Sequence, residues 1–230
     1  MATMNTRAKA NAEIVPDKPL PVLEAIAAVK KFKGPKFDQS LNICLHLGID
    51  TKHADQALRG SVALPKGIGK SKRVVAFCPE DVVEAAMEAG AVEAGGKDLV
   101  EKIEKGWSGF DVVVASPDMM RIISKLGRML GPKGLMPSPK AGTVTPNVPQ
   151  AVKEYAAGKL EYRADKGGNI HGVLGKLSFP DDDLAENFEH FVGTIVKIRP
   201  STVKGKYVNK ITISGTMTPG VQVKHEALAD

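Results

Sequence analysis

Residues 67–71, GIGKS, carry the end of a nucleotide-binding P-loop, in which glycine amides cradle phosphates and a lysine neutralises them. Leu64 stands where the first glycine of that motif is required, and no strand precedes it with a helix following, so the cradle is incomplete. Cys44 and His46 share one face of an alternating stretch, but two ligands do not make a zinc site. His53, His190 and His225 are scattered. Asp181, Asp182 and Asp183 have the look of paired carboxylates for acid–base work. They sit just before an apolar helical stripe, however, where acids complement the helix dipole and cap exposed amides. Residues 68–158 contain no histidine, and Cys78 lies beside an apolar strand without a partner, so nucleophile, base and oxyanion site are not assembled there. The sequence assigns no catalytic residue, no metal site and no cofactor.

The remaining polar side chains suit binding rather than catalysis. Residues 213–220, ISGTMTPG, leave an apolar strand through a turn of small residues that holds Thr216 and Met217. Met217 is either a gap-filling core residue or part of a patch with Thr216, Lys36, Phe37 and Ser40. Such a patch, hydrogen-bond donors around an apolar contact, reads a folded RNA by its sugars and backbone. Lys36, Phe37 and Ser40 open the stretch KFDQSLNICLHLGID, residues 36–50, which alternates with period two. Phe37, Leu41, Ile43, Leu45 and Leu47 point one way, and Lys36, Asp38, Ser40, Asn42, Cys44 and His46 the other. A strand apolar on one face only belongs in an open, largely antiparallel sheet whose other face meets water or a ligand.

With 230 residues, 43% of them apolar, the chain is large enough for one big domain or two modest ones, and two is the better reading. Lys and Arg number 32 against 26 Asp and Glu, a net charge of +6 that suits a polyanionic partner and equally suits simple solubility. The N-terminal segment lacks an apolar run of signal-peptide length and no later segment approaches a membrane span, so a cytoplasmic protein without membrane contact is expected. Cys44 and Cys78 form no CxxC pair, which indicates neither a disulfide framework nor a structural zinc site.

The elements that must position the patch follow from periodicity. Pro19 and Pro21 open a helix with Val22, Leu23, Ile26 and Val29 inward, ending near Phe32. Residues 61–73 read as a Gly-rich basic joint. From Arg73 the pattern changes to fully apolar strands, VVAF and DVVVAS, alternating with helices over 80–89 and 98–105 and from Asp118, which is the signature of a parallel α/β unit. Residues 119–153 hold no acid, and their centre, GRMLGPKGLMPSPKAGT, is a loop shaped by Gly and Pro that carries Arg128, Lys133 and Lys140. After Gly158 one-sided strands return: LEYRADK, with IHGVLGKLSF as its antiparallel neighbour, then a helix stripe Leu184, Phe188, Phe191, Ile195, Ile198, then YVNKITIS with Ile211 and Ile213 inward. The expected fold is a discontinuous α+β domain, residues 1–67 and 159–230, with a Rossmann-like three-layer α/β domain, residues 68–158, inserted between two neighbouring points.

KFDQSLNICLHLGID, RGSVALPKGIGK, SKLGRMLGPKGLMPSPKAGT, EYRADKGGNIHGVLGK and GTMTPG, in this order over nearly the whole length, resemble the family of bacterial large-subunit ribosomal protein one, the protein of the mobile stalk. The resemblance implies a non-enzymatic, two-domain component of the ribosome, monomeric when free. It would bind a fold of large-subunit ribosomal RNA through the domain made of both termini. It also implies help in releasing deacylated tRNA from the exit site, and repression of translation through the protein's own mRNA. Carried over by motif, Lys36, Phe37 and Ser40 match the RNA-facing strand start, Arg163, Asp165, Lys166 and His171 a basic hairpin, and Thr216 with Met217 the terminal turn. Two positions depart from the family: Thr218 replaces the usual Gly, and Asn42 a frequent Glu. A side chain at 218 argues against close backbone approach, so Thr218→Gly is expected to tighten binding. Arg163 and Asp165 have the simpler alternative of pairing with each other. The rival function is a protein-interaction scaffold using the Gly/Pro loop.

Overall fold

Alternation of apolar and polar side chains between residues 40 and 47 produces the strand around which the first part of the structure is laid. The computed structural model describes residues 6–53 and 55–228. Its elements, in chain order, are α1 (Thr6–Ala12), α2 (Val22–Lys31), β1 (Ser40–Leu47), β2 (Arg59–Val62), β3 (Val74–Phe77), α3 (Glu80–Glu88), β4 (Glu93–Gly95), α4 (Lys97–Glu104), β5 (Val112–Ala115), α5 (Met120–Ile123), α6 (Gly127–Leu130), α7 (Val148–Ala156), β6 (Leu160–Arg163), β7 (Asn169–Lys176), α8 (Asp181–Lys197), β8 (Val208–Gly215) and β9 (Val221–Gln222). The chain divides into two compact units, one from the residues up to Gly69 and from Leu160 onward, the other Lys70–Lys159.

In the first unit β1 is central in an antiparallel sheet ordered β7-β1-β8-β9. Leu41, Ile43, Leu45 and Leu47 are buried on one face with Ile211, Ile213, Ile170 and Leu174. Against them pack Ala25, Ile26 and Val29 of α2 and Leu184, Phe188, Phe191, Val192 and Ile195 of α8. The other face carries no helix from these elements. Asn187, wholly buried in α8, accepts from the amide of Lys66 (3.1 Å) and donates to the carbonyls of Gly67 (3.0 Å) and Leu174 (2.7 Å). The GIGKS stretch is thereby a tethered joint, with Ile68 in the core.

Several sequence expectations are corrected. Phe37 is 55% exposed and precedes β1, because the strand begins only at Ser40. Leu23 is 51% exposed, since the buried stripe of α2 runs through Ala25, Ile26 and Val29 instead. Residues 59–62, read partly as joint, form β2, whose ladder partner is β6. The two hairpin segments of the C-terminal part are antiparallel neighbours as expected, but among the described residues they are joined at the Ala164–Ile170 bridge and the turn beside it rather than along a ladder, while β7 pairs along its length with β1. The acids at the start of α8 make no side-chain cap; Asp181 pairs with Lys30, and Asp183 with Lys66 at 3.5 Å.

The second unit is a parallel sheet ordered β4-β3-β5. Every residue of β3 is buried, as a strand covered on both faces requires. Val75, Phe77, Val113 and Ala115 pack on α4 and on Ile123, Leu126 and Leu130, while Val74, Ala76 and Val114 pack on Ala86 of α3 and Val152 and Tyr155 of α7, giving three layers. The helix expected from Asp118 is instead broken into 3-10 turns and the short α5 and α6. Strand β4 and helix α7 were not foreseen, although Asn147 ahead of Val148 and Pro149 is a helix-start signal.

Candidate nucleic-acid interface

Register partners in an antiparallel ladder present their side chains on one face. The open face of the first unit's sheet is therefore four rows: Lys176 with Ser40; Val173, Asn42 and Ser214; His171, Cys44, Thr212 and Gln222; Asn169, His46 and Lys210. A shallow concavity of about 390 Å³ lies against Asn42, Cys44, His171, Val173 and Ser214. Partial burial, then Asp165, pushes the Cys44 thiol above its ordinary pKa against the opposing pull of Lys210, which keeps it neutral. Among the described residues no group of three or more His, Cys, Asp or Glu is placed to hold a metal ion.

At the Ser40 end, the terminal turn is bonded to the start of β1. The Thr216 hydroxyl accepts from the Ser40 amide at 3.2 Å and donates to the Ser40 carbonyl at 3.5 Å. The Thr218 amide closes the turn on the Gly215 carbonyl at 3.3 Å. The Thr218 hydroxyl accepts from the Gly215 amide at 2.9 Å and donates to its carbonyl at 3.2 Å. Held between them, Met217 has φ 63° and is 70% exposed, so it is no core plug. Lys36 and Phe37 lie in the exposed bend just before β1. Lys176, which the sequence reading passed over, donates to the Ser40 hydroxyl oxygen at 3.2 Å and to the Asp38 carbonyl at 3.4 Å. Its signal was its position facing the start of β1, which only the register reveals.

The hairpin residues lie elsewhere. Asp165 and Lys166 sit in the turn leading into β7, Arg163 is exposed at the end of β6, and His171 occupies a middle row. Asp165 organises this turn: it accepts from the amides of Gly167 and Asn169, both at 2.8 Å, and from the Asn169 side chain at 3.0 Å. Those Asn169 and Gly167 donors, with His171 at 3.6 Å, hold its carboxyl at about 2. No pairing of Asp165 with Arg163 is seen among the described residues. Since β1 runs eight residues, Ser40–Leu47, at roughly 3.3 Å each, the Ser40 end and the end at the Asp165–Lys166 turn are about 23 Å apart, with His171 between them. The nine assigned residues thus make two clusters joined by a polar row, not one patch.

Arg128, Lys133 and Lys140 belong to the second unit and are all exposed. Their loop is shaped by Gly134 and Gly142 at positive φ, as its composition implies, but it is also fastened by the Tyr155 hydroxyl to the Ala141 carbonyl at 2.7 Å and by Thr143 to the Ser138 amide at 2.8 Å.

Comparison with known proteins bears on the whole chain. The chain is 48% identical over 226 residues to the large ribosomal subunit protein uL1 of Chlorobaculum tepidum, covering 98% of this chain and 97% of that one. It is 46% identical over 226 residues to the large ribosomal subunit protein uL1 of Chlorobium luteolum, covering 98% of each. The model of the ribosomal protein L1p/L10e family matches residues 29–219, a span that takes in the whole second unit, most of the first and every residue of the two clusters, and the chain belongs to that family.

Proposed function

We propose that this chain, a structural protein of the large ribosomal subunit in the cytoplasm, binds large-subunit ribosomal RNA at the mobile stalk through the open face of the sheet β7-β1-β8-β9. It assists release of deacylated tRNA from the exit site, and it represses translation by binding a similar fold in its own mRNA. The observation that carries the reading is Met217. A large apolar side chain kept in water, on backbone that side chains rarely adopt, is one whose contact lies with a partner. Lysine only donates, so Lys176 makes the Ser40 oxygen an acceptor and leaves the serine hydrogen free for a phosphate or 2′-hydroxyl oxygen. Thr216 and Asp165 spend their hydrogen bonds inside the protein and act as positioning residues. Lys36, Arg163 and Lys166 neutralise phosphates, His171 lines the middle row, and Phe37 and Met217 exclude water.

The test is filter binding of the whole chain to structured large-subunit RNA and to tRNA over a range of salt, with the chain's own mRNA as competitor. A tight, saturable RNA complex is expected. Lys36→Ala, Arg163→Ala or Lys166→Ala flattens the salt dependence by roughly one unit or less, while Met217→Ala and Thr216→Ala weaken binding with little change of slope. Equal slope changes at all five sites overturn this division. A second reading, a protein-interaction scaffold, is favoured by the fixed shape of the loop carrying Arg128, Lys133 and Lys140. It predicts no saturable RNA complex.

A further inference from the structure

The cluster at the far end of β1 is larger than the hairpin residues that define it. Three loops meet there. The Gly48 amide donates to the Tyr207 carbonyl at 2.8 Å, and a Cβ on Gly48 would lie 2.3 Å from the Lys206 carbonyl oxygen, so the chain leaving β1 lies against residues 206–207. The Thr51 hydroxyl donates to the Lys166 carbonyl at 3.1 Å, and the Leu47 amide to the Gly168 carbonyl at 2.9 Å, which brings in the hairpin turn. Lys210 lies opposite His46 in the last row of the open face, next to an irregularity of the ladder between His46 and Leu47. Lys52, Lys166, Lys204, Lys206 and Lys210 are all exposed, and none makes a side-chain ion pair among the described residues. Three acids lie nearby: Asp165 is held in its turn, Asp50 accepts from the Lys52 amide at 3.0 Å, and Asp55 is hydrogen-bonded to Thr202.

We infer that Lys206 and Lys210, with Lys204 and Lys52 beside Lys166, form a second phosphate-binding site that grips a separate backbone segment of the same folded RNA, about 23 Å along β1 from the Met217 end. The inference rests on the RNA-binding reading. Five lysines against three carboxylates leave this end net positive, and such a surface gains when a polyanion releases its own condensed cations on it. The uncharged rows of Asn42, Cys44, Thr212 and Ser214 between the two ends supply hydrogen bonds but no charge, so a single strand end cannot satisfy both clusters. The ligand is an RNA whose fold holds two backbone segments this far apart.

The test measures affinity of the full chain for structured large-subunit RNA against salt. The pair Lys206→Ala with Lys210→Ala is expected to lower the slope by about 1.5, at roughly 0.7–0.9 per phosphate, and to weaken binding about tenfold. Lys206→Arg with Lys210→Arg keeps the slope. Lys9→Ala, Lys18→Ala and Lys31→Ala together remove more charge from outside both clusters and leave the slope nearly unchanged. A parent chain that binds tightly while the alanine pair keeps its slope overturns the second site alone. An equal loss in this lysine triple, or in the arginine pair, also overturns it. A parent chain that forms no saturable complex overturns the RNA reading together with this inference.

Discussion

Met217 sits in left-handed backbone, where a side chain costs roughly 1–2 kcal/mol relative to the right-handed region. Met217→Gly is therefore expected to raise stability by about 1 kcal/mol in urea unfolding while weakening RNA binding tenfold or more. A glycine variant that binds as well as the parent would remove Met217 from the contact. Thr218 closes the turn with its hydroxyl, which revises the expectation drawn from sequence that its side chain only obstructs the contact. Thr218→Gly should lose about 1 kcal/mol of turn stability and weaken RNA binding several-fold rather than tighten it. Asp165 titrates at about 2 when folded against 3.8 otherwise. Between those values the unfolded chain binds more protons, so the carboxylate's contribution is complete above about pH 4 and is lost as pH falls through about 2. The group is exposed and water screens it, so Asp165→Ala costs less than about 1 kcal/mol at neutral pH. Urea unfolding of parent and variant should converge near pH 2.

At the scale of elements, α8 decides where the sheet sits. Its stripe Leu184, Phe188, Phe191 and Ile195 was readable at helical spacing, and all four are buried; Ile198, one residue past the helix, is 41% exposed because the period ends with the helix. The stripe needs a flat place to lie, and β7 provides it at Gly172, where an added Cβ would fall 2.8 Å from the Phe191 ring. Gly172→Ala is predicted to destabilise the first unit by about 1–3 kcal/mol through overpacking. Far-ultraviolet circular dichroism should retain the strand and helix signals while the denaturation midpoint falls. A variant as stable as the parent would mean that Phe191 has room to shift. β2, β4 and α7 escape local patterning because they are short or flanked by turn residues, so their existence depends on the partners they pack or pair with.

For the whole molecule, the first unit's core draws only on residues up to Ile68 and from Leu160 onward, and the cores of the second unit only on residues 74–156. Val62 pairs with Leu160, so the chain leaves and rejoins the first unit at adjacent points. Replacing residues 70–158 with a short Gly/Ser linker is predicted to leave a folded protein that binds the RNA within about tenfold of the parent, a loss of roughly 1.4 kcal/mol at most. A folded excision variant that has lost a hundredfold would place the second unit in the primary contact. By itself the sequence determined the fold class, the buried face of β1 and the apolar stripe of α8, because periodicity is a local property that burial only has to agree with. The motif match added the family. Only the tertiary structure decided that β7 lies beside β1 while β6 pairs with β2, that Lys176 faces Ser40, and that the assigned residues fall into two clusters. Those facts depend on register between strands about a hundred residues apart or more, which no local pattern encodes.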